Sequence, residues 1–189
     1  MKNRKELITS TKRVIIKLYL SVIIDNTGNL KWNYFKHIMR SVFAISNQGF
    51  DIIIVFQGAV YIGMKRLGLK KIPSSIHEYK AVSAVGYGLF IYLLDEMFTA
   101  KGLIVAPITL PLEVLQRNSG YINICQTLLI LLKSNIIPII FSDDAIIENI
   151  EYQNSMIFNI IANLLDANLL VIPTEDSIHE ESIRNYKGE

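Results

Sequence analysis

Five short apolar runs constrain this chain more than any other feature: Val14–Ile24, Asp51–Phe56, Leu103–Ile108, Ile136–Phe141 and Asn168–Ile172. Each is rich in Val, Ile or Leu and hardly alternates. A strand with one face in water alternates apolar and polar residues, whereas a continuous apolar run suits a parallel strand covered on both faces by helices. Helical periodicity fills the intervals. Asn33–Gln48 spaces Phe35, Ile38, Met39, Val42, Phe43 and Ile45 at a 3.6-residue period, and Gly49 stops it. Ile76–Ala100, with Gly86 and Gly88 inside and Gly102 beyond, reads as a second helix, Asn118–Ser134 as a third and Ser155–Ala167 as a fourth. Strand and helix alternate, so the pattern predicts an α/β fold, an open and mainly parallel sheet with helices on both faces. With 51% hydrophobic residues among 189, the chain can fill such a core. It reads as one domain over residues 13–176, flanked by a basic N-terminal tail, 1–12, and a polar, loosely ordered C-terminal tail, 177–189.

Several function classes are disfavoured at once. The longest apolar candidate for a membrane span, Val82–Leu94, falls short of about 18 residues and contains Ser83, Gly86 and Gly88, so no membrane is expected. Lys17 interrupts the only apolar run that could follow a basic leader, which makes a poor signal peptide. Nineteen Lys and Arg against 17 Asp and Glu give a net charge of +2, without the concentrated basic face that nucleic acid needs. One cysteine, Cys125, cannot build an internal disulfide framework and suits a reducing, cytoplasmic compartment. With that lone thiol and His37, His77 and His179 scattered, no metal site is expected.

In open α/β sheets ligands sit beyond the carboxyl ends of the strands, which singles out a few residues. The stretch "IIIVFQGAVYIGMKRLGL" reads as strand, glycine turn and helix. Its "GAVYIGMK" misses the phosphate-loop pattern by one place, because Met64 stands where the lysine belongs. Gly58 either serves only a tight turn or lets backbone N–H groups approach an anion at a helix start. Lys17, inside an apolar run, either reaches water at the strand's end or meets an anion, as a lysine that neutralises a moving phosphoryl group would. Asp143 and Asp144 follow a strand directly; they bind a substrate cation, a lysine or Mg²⁺, or else cap the next segment. Asn123, and Glu175 with Asp176, are open in the same way.

Read together, these stretches resemble the amino acid kinase family, and within it the glutamate 5-kinases, including the kinase part of pyrroline-5-carboxylate synthase. "VIIKLYLSVI" resembles the family's V-V-K-L-G-S-S-V, and "VFQGAVYIGMKRLGL" its V-S-S-G-A-V-A-A-G and following helix. "AVSAVGYGLFIYLLDEMF", "YINICQTLLILLKSNIIPIIFSDDAI" and "ANLLVIPTED" resemble three later family segments in the same order, so the similarity spans about residues 13–176. The resemblance implies an αβα sandwich and ATP-dependent phosphorylation of the γ-carboxylate of glutamate, an early step toward proline, with ATP and Mg²⁺ as cofactors if the protein is active and none otherwise. It implies a homo-oligomer, or a hetero-oligomer with a family member. It assigns Lys17 and Asp144 to catalysis, Ser21, Gly58, Ala59, Asn123 and Asp143 to the acid substrate, and Thr174 and Glu175 to the nucleotide.

The departures from the family pattern are chemically directed. Tyr19–Leu20 replaces Gly-Ser/Thr, Phe56–Gln57 replaces Ser/Thr-Ser, and Pro107 replaces a glutamine. Gln153–Asn154–Ser155–Met156 stands for Gly-Asp-Asn-Asp, and the glycine-rich segment that covers the ATP phosphates in the family lies past residue 189, so the fold is expected to be truncated at its nucleotide half. The expectation is a rim filled with bulk and a glutamate 5-kinase-like protein that is impaired or inactive, a pseudoenzyme. The alternative is a non-catalytic regulatory or assembly partner of an active amino acid kinase.

Overall fold

The computed structural model describes residues 12–25, 29–110, 118–141, 160–167, 169–173 and 178–182. Its elements in chain order are β1 (Arg13–Tyr19), α1 (Leu20–Ile23), α2 (Trp32–Asn47), β2 (Asp51–Gln57), α3 (Ala59–Leu67), α4 (Ile76–Thr99), β3 (Ile104–Ile108), α5 (Asn118–Lys133), β4 (Ile136–Phe141), β5 (Leu169–Pro173) and β6 (Ile178–Ser182). The six strands form one sheet in the order β3-β4-β2-β1-β5-β6. Neighbours pair in parallel except β5 with β6, which are antiparallel. The α/β reading therefore stands.

Strand alternation divides the core into two layers. Val14, Ile16 and Leu18 of β1 join Ile52, Ile54 and Phe56 of β2 against Phe35, Ile38 and Met39 of α2 and Phe90, Leu94 and Phe98 of α4. On the other face Ile15, Ile53, Val55 and Ile140 meet Leu128 and Leu132 of α5 and Ile161 and Leu165, at or just after helical residues 160–164. Burial on both faces is the physical reason β1 and β2 do not alternate in polarity. At the amino ends of these strands, Arg13 is level with Asp51 and pairs with its carboxylate at 3.2 Å.

Two expectations need correction. The run Val14–Ile24 is not one strand: it leaves the sheet after Tyr19, level with the last residue of β2, and turns into α1. Leu20 and Ile23, three apart, both bury in that turn, and an apolar run alone cannot separate a strand from a helical turn. Within the stretch expected as a loose tail, Ile178–Ser182 forms β6 on the edge of the sheet. Of the helix expected over Ser155–Ala167, only residues 160–164 are described as helical.

α3 and α4 cross with almost no gap. A Cβ on Gly63 would lie 1.9 Å from the Val82 carbonyl oxygen, and one on Gly86 1.9 Å from that of Ala59. Both glycines are therefore required by backbone approach, and they fix α3, hence the end of β2, against α4. Ser75 starts α4 by accepting the Glu78 N–H at 3.2 Å.

Candidate functional site at the carboxyl ends of β1 and β2

β1 and β2 lie side by side in the sheet and end together. Lys17 is level with Val55, Leu18 with Phe56, and Tyr19 with Gln57. Leu18 and Phe56 face the α2 and α4 layer, so Lys17, Tyr19 and Gln57 stand on the opposite face, in line with Ile15, Ile53 and Val55. Three polar side chains thus converge where the sheet opens, with Gly58 and the start of α3 beside them.

Lys17 is 9% exposed, and its Nζ lies 4.9 Å from the centre of the Tyr19 ring. Burying an ammonium is costly without compensation, and the negative face of an aromatic ring supplies part of it. Tyr19, expected only to crowd the site, also holds the cation in place. Gln57 Oε1 is buried and has no hydrogen-bond partner among the described residues. An orphaned buried acceptor costs about 1–3 kcal/mol, so among the described residues the end of β2 offers an acceptor that calls for a donor.

Gly58 has φ 111°, which an L side chain rarely adopts, and is the N-cap of α3. A Cβ there would come 2.5 Å from Leu20 Cβ. Leu20 itself is buried, so the room over this glycine is taken by the residue that stands where the family pattern has a hydroxyl. Ala59 is fully buried in the α3–α4 crossing, and Ser21 is exposed on α1.

Phe56 does not obstruct the rim. Its ring stacks on Phe90 with centroids 3.7 Å apart and meets Phe141 edge-on at 6.0 Å, wholly inside the core. Because β2 extends to Gln57, alternation turns Phe56 inward. Met64 lines an apolar groove on the outer side of α3, and Lys65 donates to Asn29 Oδ1 at 2.6 Å, so neither forms a phosphate loop with Gly58. Pro107 sits exposed on edge strand β3, separated from β1 by β4 and β2, where a missing N–H costs least. Asn123 lies exposed on α5, and its side chain makes no hydrogen bond among the described residues. Asp143, Asp144, Thr174 and Glu175 lie outside the described residues. The structure therefore gathers Lys17, Gly58 and Ala59 and adds Tyr19 and Gln57. Only the register and alternation of the two strands could have singled out Gln57 from Phe56. Among the described residues no cluster of His, Cys, Asp and Glu could hold a metal ion.

The sequence pattern of the amino acid kinase family matches residues 12–177. This chain belongs to the amino acid kinase family. It is 31% identical over 175 residues to the glutamate 5-kinase of Teredinibacter turnerae, an overlap that takes in 92% of this chain and 47% of the relative. To the glutamate 5-kinase of Clostridium acetobutylicum it is 30% identical over 185 residues, with 96% of this chain and 69% of the relative covered. To that of Moorella thermoacetica it is 32% identical over 170 residues, with 89% and 45% covered. The chain spans about half the length of most of the curated relatives it matches. In fold it is similar to the isopentenyl phosphate kinase of T. acidophilum in its product complex, with a TM-score of 0.58 and 21% identity over 86% of this chain and 70% of that one.

Proposed function

We propose that this member of the family is a glutamate 5-kinase-like protein whose cleft still binds a small anion or acid but which is impaired or inactive as a kinase, in the cytoplasm. The observation that carries the reading is the buried Lys17 at the end of β1, held under Tyr19 beside a glycine-led helix start. A buried cation and a helix N-terminus both favour negative charge, and they fit a phosphoryl group or a carboxylate. ATP with Mg²⁺, when bound, would supply the phosphoryl group for the γ-carboxylate of glutamate. Lys17 would neutralise charge on that group, and Gly58 would let backbone approach it. Asp144 and Asp143, with Asn123 and Ser21, are the further acid-side residues in this reading, and Thr174 with Glu175 the nucleotide-side ones.

Impairment follows from two neighbours. Leu20 offers no hydroxyl and fills the space over Gly58, and Tyr19 covers the lysine. Removing one donor that stabilises transition-state charge slows such reactions by about 10²–10³-fold. The test is hydroxylamine trapping of acyl phosphate by the full chain with ATP, Mg²⁺ and glutamate. No hydroxamate above background is expected. Robust hydroxamate formation that disappears in Lys17→Ala would overturn the impairment and leave an active kinase.

A further inference from the structure

The connection from α3 to α4 begins "KRLGLKKI", residues 65–72, and every residue of it is exposed. Four are cations and three are large apolar side chains. Leu67 is 51% exposed and Ile72 52%, and Leu69 and Ile76 are exposed with them. Four of the ten large apolar side chains exposed among the described residues thus fall within positions 67–76. Such a concentration on a surface loop marks a site of contact. The end of α3 builds the presentation. Gly68, at φ 69°, caps the helix in the left-handed conformation, and the N–H groups of Gly68 and Leu69 donate to the Lys65 and Met64 carbonyls at 3.3 and 2.9 Å. That turn brings Leu69 back beside Met64 and Arg66 in the lining of the apolar groove between α1, α3 and α4, where Tyr61 and Tyr92 also stand. Leu67 and Ile72 are left outside the groove, in water.

The charges indicate what covers this loop. Residues 52–77 contain no Asp or Glu. Lys65 donates to the uncharged Asn29 Oδ1, and Arg66, Lys70 and Lys71 form no ion pair among the described residues. The net charge of +2 for the whole chain therefore conceals a local cluster of four cations. Nucleic acid would take the cations but leave Leu67 and Ile72 in water. A second copy of the same loop would be repelled. A bilayer with anionic headgroups suits both kinds of side chain, since the cations meet the headgroup charge and the apolar side chains enter the acyl boundary just beneath. Tyr61 and Tyr92, exposed beside Leu69, have the apolar body and polar tip that suit the same boundary. The expectation of no membrane rests on the length of a span, which does not bear on a loop that reaches one leaflet.

We propose that the α3–α4 connection docks this protein on an anionic bilayer surface, with Leu67 and Ile72 inserted below the headgroups and Arg66, Lys70 and Lys71 among them. Flotation of the full chain with vesicles tests it, and the readout does not depend on kinase activity. The protein should float with phosphatidylcholine vesicles containing about 30% phosphatidylserine in about 0.1 M salt, and should not float with phosphatidylcholine alone. Lys70→Gln with Lys71→Gln should weaken the partition by about 20-fold, since each cation near such a surface contributes roughly fivefold. Leu67→Ser with Ile72→Ser should weaken it by about tenfold or more while circular dichroism and melting stay as in wild type. Should a double variant melt early, Lys71→Gln and Ile72→Ser alone, both in the loop beyond α3, should each still weaken it by about fivefold. Failure to float with the anionic vesicles overturns the proposal, as does flotation that the lysine variants leave unchanged. Flotation indifferent to the Leu67 and Ile72 variants would mean adsorption by charge alone and overturns it too. So does binding of a DNA duplex as tightly as of the vesicles, which would assign the loop to nucleic acid.

Discussion

Phe56 and Gln57 are consecutive, and both depart from the family pattern in the same direction, from small polar to large. One ends stacked on Phe90 and edge-on to Phe141 with no exposure, and the other ends beside Tyr19 with a buried oxygen that no described residue satisfies. The contrast extends to the two sides of the sheet. On the α2 and α4 side an aromatic cluster closes the core up to the strand ends. On the other side the strand ends carry a lysine, a tyrosine and an amide. A substitution at a strand end therefore changes packing or chemistry according to its parity in the strand rather than its size. Phe56–Gln57, where the family pattern has Ser/Thr-Ser, thus combines one change of packing with one change of polar chemistry at a strand end.

Four measurements could break or sharpen that contrast. The largest effect should come from Phe56→Ala, which is expected to lower unfolding stability in urea by about 3–5 kcal/mol, since it empties a fully buried aromatic site. Gly86→Ala, on the same side, should cost about 3 kcal/mol by forcing α3 off α4; a loss below about 0.5 kcal/mol would mean that the crossing is not tight. On the polar side, Lys17→Met should leave stability unchanged or slightly raised but weaken ATP binding, read by calorimetry, by about 10-fold or more. Unaltered ATP binding would remove Lys17 from the site. The smallest effect should be Gln57→Leu, which deletes a buried acceptor without a partner among the described residues and is expected to raise stability by up to about 1 kcal/mol. A loss of several kcal/mol there would show that Gln57 is packed as Phe56 is, and the contrast between the two faces would fail.

Much of the fold was legible in the sequence. Parallel strands buried on both faces must be apolar almost throughout, and β2, β3, β4 and β5 lie within a residue of the runs that predict them. α2 was equally plain, because a 3.6-residue period and a glycine stop leave few alternatives, and α4 lies within a residue of the stretch that predicts it. The turn after Tyr19 was not legible, since Leu20 and Ile23 are apolar in either conformation and only the length of the neighbouring strand decides where β1 ends. β6 was hidden by its polar residues, which an edge strand tolerates. Of the site, Lys17 and Gly58 stood out because a lysine in an apolar run and a glycine at a strand end each break a local rule.

The sequence by itself determined the layered α/β architecture and the family, through periodicity and motif order, which are properties of the chain's covalent sequence. Tertiary structure alone decided which strand-end residues share a face, that Leu20 covers Gly58, and that Tyr19 holds Lys17. These depend on register and helix crossing, where residues far apart in the chain are brought within a few ångströms, and no local pattern encodes that.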